Sequence, residues 1–176
     1  MHPDSSTAHY LLRVARDSGA SCEERCRFLV ERARAGDELH AALQRELAHA
    51  GLTESGFLVL TTLAGRDPAP VLRADLAPAA NLSPMRADDA LTRLEMSHLV
   101  ERQRDARDRR LVWLHLTAAG HRQALVATQR YLAAAKTITA SLGESELAAG
   151  LDLIGKLRSG AARLVAEPAT AIGGQP

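Results

Sequence analysis

The chain has 176 residues, 46% of them apolar and 24% charged, which is about one soluble globular domain. A chain of that length buries roughly two thirds of its unfolded surface, so folding needs neither disulfides nor a metal. Charge is nearly balanced, 22 Lys+Arg against 21 Asp+Glu, so any nucleic-acid role must rest on where the basic residues gather. No apolar run nears the roughly 18 residues of a membrane span. Met1–Thr7 is polar and unlike a signal peptide, and two cysteines give no disulfide framework, so the expected location is the cytoplasm, with no membrane partner. Aromatic residues are only 3%, too few for a stacking surface for single-stranded nucleic acid.

Residues 1–21 read as a flexible N-terminal arm, with His9–Arg16 forming two helical turns ended by Gly19. From Ser21 to Ala50 the pattern is helical. Phe28, Leu29, Leu39, Leu43 and Leu47 make one apolar stripe, and Gly51 is a C-terminal stop. Thr53 caps a second helix carrying Phe57, Leu60 and Leu63. Residues 65–70 form a loop, and a short helix lies between Leu72 and Ala80. Pro78 fits its first turn if Asp75 is the cap. Asn81 supplies a left-handed turn residue, and Ser83-Pro84 starts a helix to about Ser97 with Leu91 and Leu94 on its apolar side.

Then the period changes. Leu99–Arg102 is extended, Arg104–Arg110 is highly charged, and Leu111–Leu116 alternates with Val112, Leu114 and Leu116 on one face, so the segment predicts a two-stranded hairpin with a charged tip. Thr117 caps a helix to about Leu142, and Gly143 breaks it. A last helix carries Leu147, Leu151, Ile154, Leu157 and Leu164. From Glu167 the chain reads as a disordered tail. The fold class is mainly α with a small β-hairpin: a tri-helical unit with a wing, flanked by helices too long and too apolar to be buried by that unit alone. Pairing with a second copy across a two-fold axis is the simplest way to bury them.

The segment Leu72–Gly120 carries the most specific pattern. Leu76-Ala77, Leu82-Ser83-Pro84, Leu94-Glu95, Leu99-Val100-Glu101-Arg102, Asp105-Ala106-Arg107-Asp108-Arg109-Arg110 and Leu116-Thr117-Ala118-Ala119-Gly120 stand in the order and spacing of the MarR family of winged helix-turn-helix regulators, which the sequence resembles over roughly residues 22–165. Gly51-Leu52-Thr53 matches the junction between that family's first two helices. The resemblance implies a dimerisation helix at 22–50, a winged helix-turn-helix DNA-binding domain at 51–120, C-terminal dimerisation helices at 121–166 and a tail at 167–176. It also implies a homodimer that represses from a palindromic operator in double-stranded DNA and releases it on binding a small-molecule effector. No cofactor and no metal are expected.

In helix-turn-helix docking, the helix starting at Ser83 and Pro84 points free backbone N–H groups at phosphate, while Met85, Arg86, Asp88 and Asp89 face the major groove, with Arg93 one turn on. Arg86 is the leading base or phosphate contact. At the wing, the resemblance implies that Arg107 enters the minor groove, with Arg104 and Arg109 beside it. Asp105 and Asp108 would brace the tip by pairing with arginines such as Arg109 or Arg110. A bland reading stands beside each of these: a solvated helix face, and a turn with internal ion pairs.

Two departures from the family pattern matter. Asp88-Asp89 occupies a position where relatives often carry threonine and arginine, and two carboxylates there repel phosphate. His98 stands where glycine is usual. Residues 72–123 hold nine arginines against seven acids, a modest basic footprint. Cys22 and Cys26, four apart on one helix face, are candidates for redox sensing, against the bland reading of two small apolar residues. Phe57 and Trp113 are guesses for an effector pocket, although Trp113 also reads as a cover for the wing. No hydrolase elbow, phosphate-binding glycine loop or zincin motif occurs, which argues against an enzyme. The competing class is a winged-helix module that has lost DNA binding and recognises protein.

Overall fold

The structure, a computed structural model, describes residues 5–166. The tail expected at 167–176, and the first four residues of the expected arm, lie outside them. In chain order the elements are α1 (Ser5–Asp17), α2 (Ala20–His49), α3 (Glu54–Ala64), β1 (Val71–Leu72), α4 (Arg73–Ala79), α5 (Pro84–Met96), β2 (Val100–Arg104), β3 (Val112–Leu116), α6 (Ala118–Ile138) and α7 (Glu144–Ala166). The chain divides into two units, 1–137 and 138–176.

The winged helix-turn-helix is α3, α4, α5 and a three-stranded antiparallel sheet of order β1-β3-β2. Its core is aliphatic. Val59 and Leu60 of α3, Leu76 of α4, Leu91 and Leu94 of α5, Val71 of β1, Val100 of β2 and Leu114 of β3 are all buried, and Leu47, Ala124 and Ala127 join them from α2 and α6. No polar side chain is buried among the described residues. The alternation read for β3 holds: Leu114 is fully buried and Leu116 packs on the same cluster.

The helix starts follow their capping residues. The Thr53 hydroxyl accepts from the N–H of Gly56, Ser83 accepts from Arg86, and Thr117 accepts from Gly120. Asn81 has φ of 53°, as expected. His98 has φ of 55° and ends α5 in the position that glycine usually fills. The N–H of His98 bonds the carbonyl of Glu95, and that of Leu99 bonds Leu94.

Four expectations need correction. Residues 5–17 are a three-turn helix with Ala8 and Ala15 buried, rather than a loose arm with two turns. Small residues at i and i+7 let it lie close to α2. The hairpin is part of a three-stranded sheet, because Val71 and Leu72 pair with Leu114 and Trp113. Asp75 does not cap α4. The helix starts at Arg73, directly from β1, and Pro78 sits inside its last turn, so the helix stops one residue later. Finally, α6 ends at Ile138 rather than near Leu142, where the run Thr137-Ile138-Thr139 offers little helix propensity. The next helix begins at Glu144, and the N–H of Gly143 just before it is taken by the Glu146 carboxylate three residues on.

The stripe expected on α2 is split. Leu47 is buried in the winged-helix core, while Phe28, Leu29 and Leu39 are exposed. In the other unit, α7 has no buried residue, and Leu147, Leu151, Ile154 and Leu164 are exposed. Among the described residues no helix is long and apolar enough to cross a membrane.

Candidate nucleic-acid interface

Two surfaces of the winged helix-turn-helix carry the residues singled out from sequence. The first is the start of α5. Ala87, Ala90, Leu91 and Leu94 are buried, which turns Met85, Arg86, Asp88, Asp89 and Arg93 outward. Met85 is 72% exposed and leaves an apolar tip beside the polar groups. Ser83 and Pro84 sit exposed at the helix start.

The side chains on this face are already engaged in part. The Arg86 guanidinium donates to Glu54 Oε2 at 3.3 Å and to Ser55 Oγ at 3.0 Å, both in the first turn of α3. Glu54 is also approached by His40 Nδ1 of α2 at 3.7 Å. Arg86 is therefore tied back to α3 rather than free over the face. Asp88 is paired in turn: Arg73 of α4 donates to its Oδ1 at 2.8 Å. That pair cancels one of the two carboxylate charges on this face. Asp89 and Arg93 make no side-chain hydrogen bond or ion pair among the described residues. Both line a shallow cavity of about 180 Å³ with Thr53, Ser55 and Arg86.

The second surface is the wing. β2 and β3 pair from Val100–Leu116 to Arg104–Val112. Beyond the ladder, the N–H of Asp105 bonds the carbonyl of Leu111, and the N–H of Leu111 bonds that of Asp108, which closes the tip. Asp105 organises the turn. Its Oδ1 accepts from the backbone N–H of Arg107 at 2.8 Å and of Asp108 at 3.0 Å, and its Oδ2 accepts from the Trp113 indole at 3.1 Å. These donors hold the carboxyl below the ordinary aspartate range, the Asp108 amide most of all, then the Trp113 indole and the Arg107 amide. Asp108 Oδ1 accepts from the N–H of Arg110 at 2.9 Å.

Both carboxylates thus brace the tip through backbone amides and an indole, rather than through the guanidinium groups that were expected to pair with them. Short carboxylates two or three residues from an amide form such Asx turns at little entropic cost, whereas a pair with a long arginine must order many torsions. The consequence is electrostatic. The side chains of Arg104, Arg107, Arg109 and Arg110 are exposed and make no hydrogen bond or ion pair among the described residues, so all four charges face solvent. At the base of the wing, Arg102 of β2 donates to Glu95 of α5.

The remaining candidates are dispersed. Phe57 stacks on Tyr131 of α6 with ring centroids 5.3 Å apart, and Trp113 is committed to the wing. The reading of Trp113 as a cover for the wing agrees with this place, but its bond to Asp105 has no signal in the sequence beyond the alternation that puts Trp113 on the face opposite Leu114. Cys22 is exposed and Cys26 half-buried, and both are free thiols. Arg27 beside them is paired with Glu23. No three His, Cys, Asp or Glu side chains gather as a metal site among the described residues.

Residues 52–112 match the family model described as the MarR family. No curated protein matches the chain. Among solved structures, the S. aureus MepR–DNA complex is similar at 21% identity with a TM-score of 0.64, covering 72% of this chain and 93% of that one. A MarR family transcription regulator reaches a TM-score of 0.72 at 19% identity, over 85% of this chain and 100% of its own. A MarR family regulator from Rhodococcus sp. RHA1 gives 0.61 at 24% identity, over 76% and 92%. The fold of this chain is the one those proteins share.

Proposed function

We propose, from a chain whose winged-helix segment is of the MarR family, that it is a DNA-binding transcriptional regulator and not an enzyme. The observation that carries this reading is the wing: four guanidinium groups without a carboxylate partner among the described residues, on a hairpin whose own aspartates are spent on backbone amides. Arginine so presented suits the narrow minor groove of A·T-rich DNA, while the exposed start of α5 suits the major groove. The similar MepR structure is a complex with DNA, which supports the same reading.

The finer reading is a homodimeric repressor on a palindromic operator, with half-sites about 10 bp apart centre to centre. A small-molecule effector would release DNA by favouring a state with a different separation of the two α5 helices. On α5, Ser83 and Pro84 lie at the phosphate-facing helix start. Met85, Asp89 and Arg93 face the groove, and Arg86 and Asp88 do so only when their pairs with Glu54 and Arg73 open. Selection from a pool of random-sequence duplexes tests this directly, since a regulator enriches a two-fold sequence. Arg107→Ala should then weaken binding to the enriched duplex about tenfold at physiological salt and leave the oligomeric state unchanged. One observation favours a second reading. Asp89 is exposed and Arg86 is neutralised on the helix that would enter the groove, as a protein-recognition module would tolerate. Such a module would enrich no sequence.

A further inference from the structure

We infer that Trp113 is the positioning residue of the wing: its indole N–H, held to Asp105, fixes the tip conformation in which Arg107 is presented to DNA. The inference rests on the DNA-binding reading above and adds to it a residue that itself touches no DNA.

Trp113 sits in the middle strand of the sheet. Gln103 of β2 is its partner on one side and Leu72 of β1 on the other, so its backbone is fixed from both edges. The side chain is half-buried on the face opposite Leu114 and reaches past Val112 to the tip. There its N–H meets Asp105 Oδ2 at 3.1 Å, while Oδ1 of the same carboxylate holds the amides of Arg107 and Asp108. One carboxylate therefore links three donors: two amides of the tip and one ring anchored in the centre of the sheet. The two amide bonds shape the turn locally. Among side-chain bonds of the described residues, the indole bond is the one that ties that turn to the centre of the sheet, beside the backbone pair of Asp105 and Leu111 that continues the ladder.

A hairpin tip is otherwise free to sway about the end of its ladder. Binding by a swaying arginine must bear the cost of ordering it, whereas a pre-set tip does not. The indole of tryptophan is a donor only, and phenylalanine keeps most of the ring while removing the N–H. This separates anchoring from packing. Asp105→Asn makes the complementary change, because an amide oxygen can still serve the two backbone N–H groups while its NH₂ faces the indole without accepting from it.

The test uses the full chain and the duplex enriched by selection. Trp113→Phe and Asp105→Asn are each expected to weaken binding about three- to tenfold, and the double variant should lose no more than either alone. In an Arg107→Ala background, Trp113→Phe should have little further effect, because the anchor acts through that arginine. Equal losses with and without Arg107, or additive losses in the double variant, overturn the inference. Asp105→Asn lies on an exposed turn, so it remains informative if Trp113→Phe folds poorly.

A DNA-free measurement separates the two levels. Amide exchange at Arg107 and Asp108 should accelerate in Trp113→Phe while the β2–β3 amides stay protected; unchanged exchange at the tip overturns the anchor itself. A wild-type protein that binds no duplex, with the tip still protected by Trp113, overturns the DNA reading and the positioning role that rests on it.

Discussion

Asp105 is a single half-buried carboxylate that organises the whole wing turn. Its acidity is a direct consequence: three N–H donors favour the charged form, so its folded-state value lies below that of the unfolded chain. A group depressed in this way stabilises the tip at every pH above the unfolded value of about 3.9, and the contribution is lost as pH falls through the lower folded value. The Trp113 indole proton resonance is therefore expected to stay constant from neutral pH to about pH 4 and to move only in more acid solution. Movement between pH 5 and 7 would contradict the assignment. Arg86 makes the opposite case, a side chain that the sequence suggested was free and the fold has tied to Glu54 and Ser55. Glu54→Gln should release it. On the DNA-binding reading, affinity then rises a few-fold, and the salt dependence steepens by about 0.9 in log K against log salt if Arg86 takes one more phosphate. A filter-binding titration at several salt concentrations checks both.

Among the elements, α5 shows how local signals and packing agree. Ser83 caps it, Pro84 occupies its first position, and its four inward residues fill the core. Ser83→Ala is expected to cost about 1 kcal/mol in urea unfolding. The start of α6 is less forgiving. A Cβ on Gly120 would lie 2.0 Å from the carbonyl oxygen of Leu99, a backbone atom that also accepts from the N–H of Thr117. Gly120→Ala must push α6 away from the β2 end of the sheet, so it should destabilise the fold by at least about 2 kcal/mol. Urea unfolding measures this as well, and a neutral effect would mean that the close approach is not kept in solution. The motif Leu116-Thr117-Ala118-Ala119-Gly120 is thus explained by sterics: threonine caps, and only glycine fits beneath Leu99.

For the whole molecule, the apolar surface that remains outside the core is the main observation. Phe28, Leu29 and Leu39 of α2, and Leu147, Leu151, Ile154 and Leu164 of α7, are exposed. Large apolar side chains left exposed along a helix in this way are costly in water and suit an association surface. On the homodimer reading, the 18.9 kDa chain should sediment at twice its mass at micromolar concentration, and Leu151→Glu with Ile154→Glu should shift it to the monomer. A wild-type monomer would remove the two-fold geometry on which the operator argument depends.

The sequence by itself determined the order of the helices, the capped starts of α3, α5 and α6, the charged hairpin and the left-handed Asn81, because these depend on neighbours a few residues apart. It could not reveal β1, since two residues are too short to show a period and become a strand only by pairing with Leu114 and Trp113. Nor could it place Glu54 against Arg86, Arg73 against Asp88 or Trp113 against Asp105, pairs that lie 32, 15 and 8 residues apart in the chain. Residue type announces that a charge will seek a counter-charge or a donor. Which one it meets is decided by the packing that brings distant segments together.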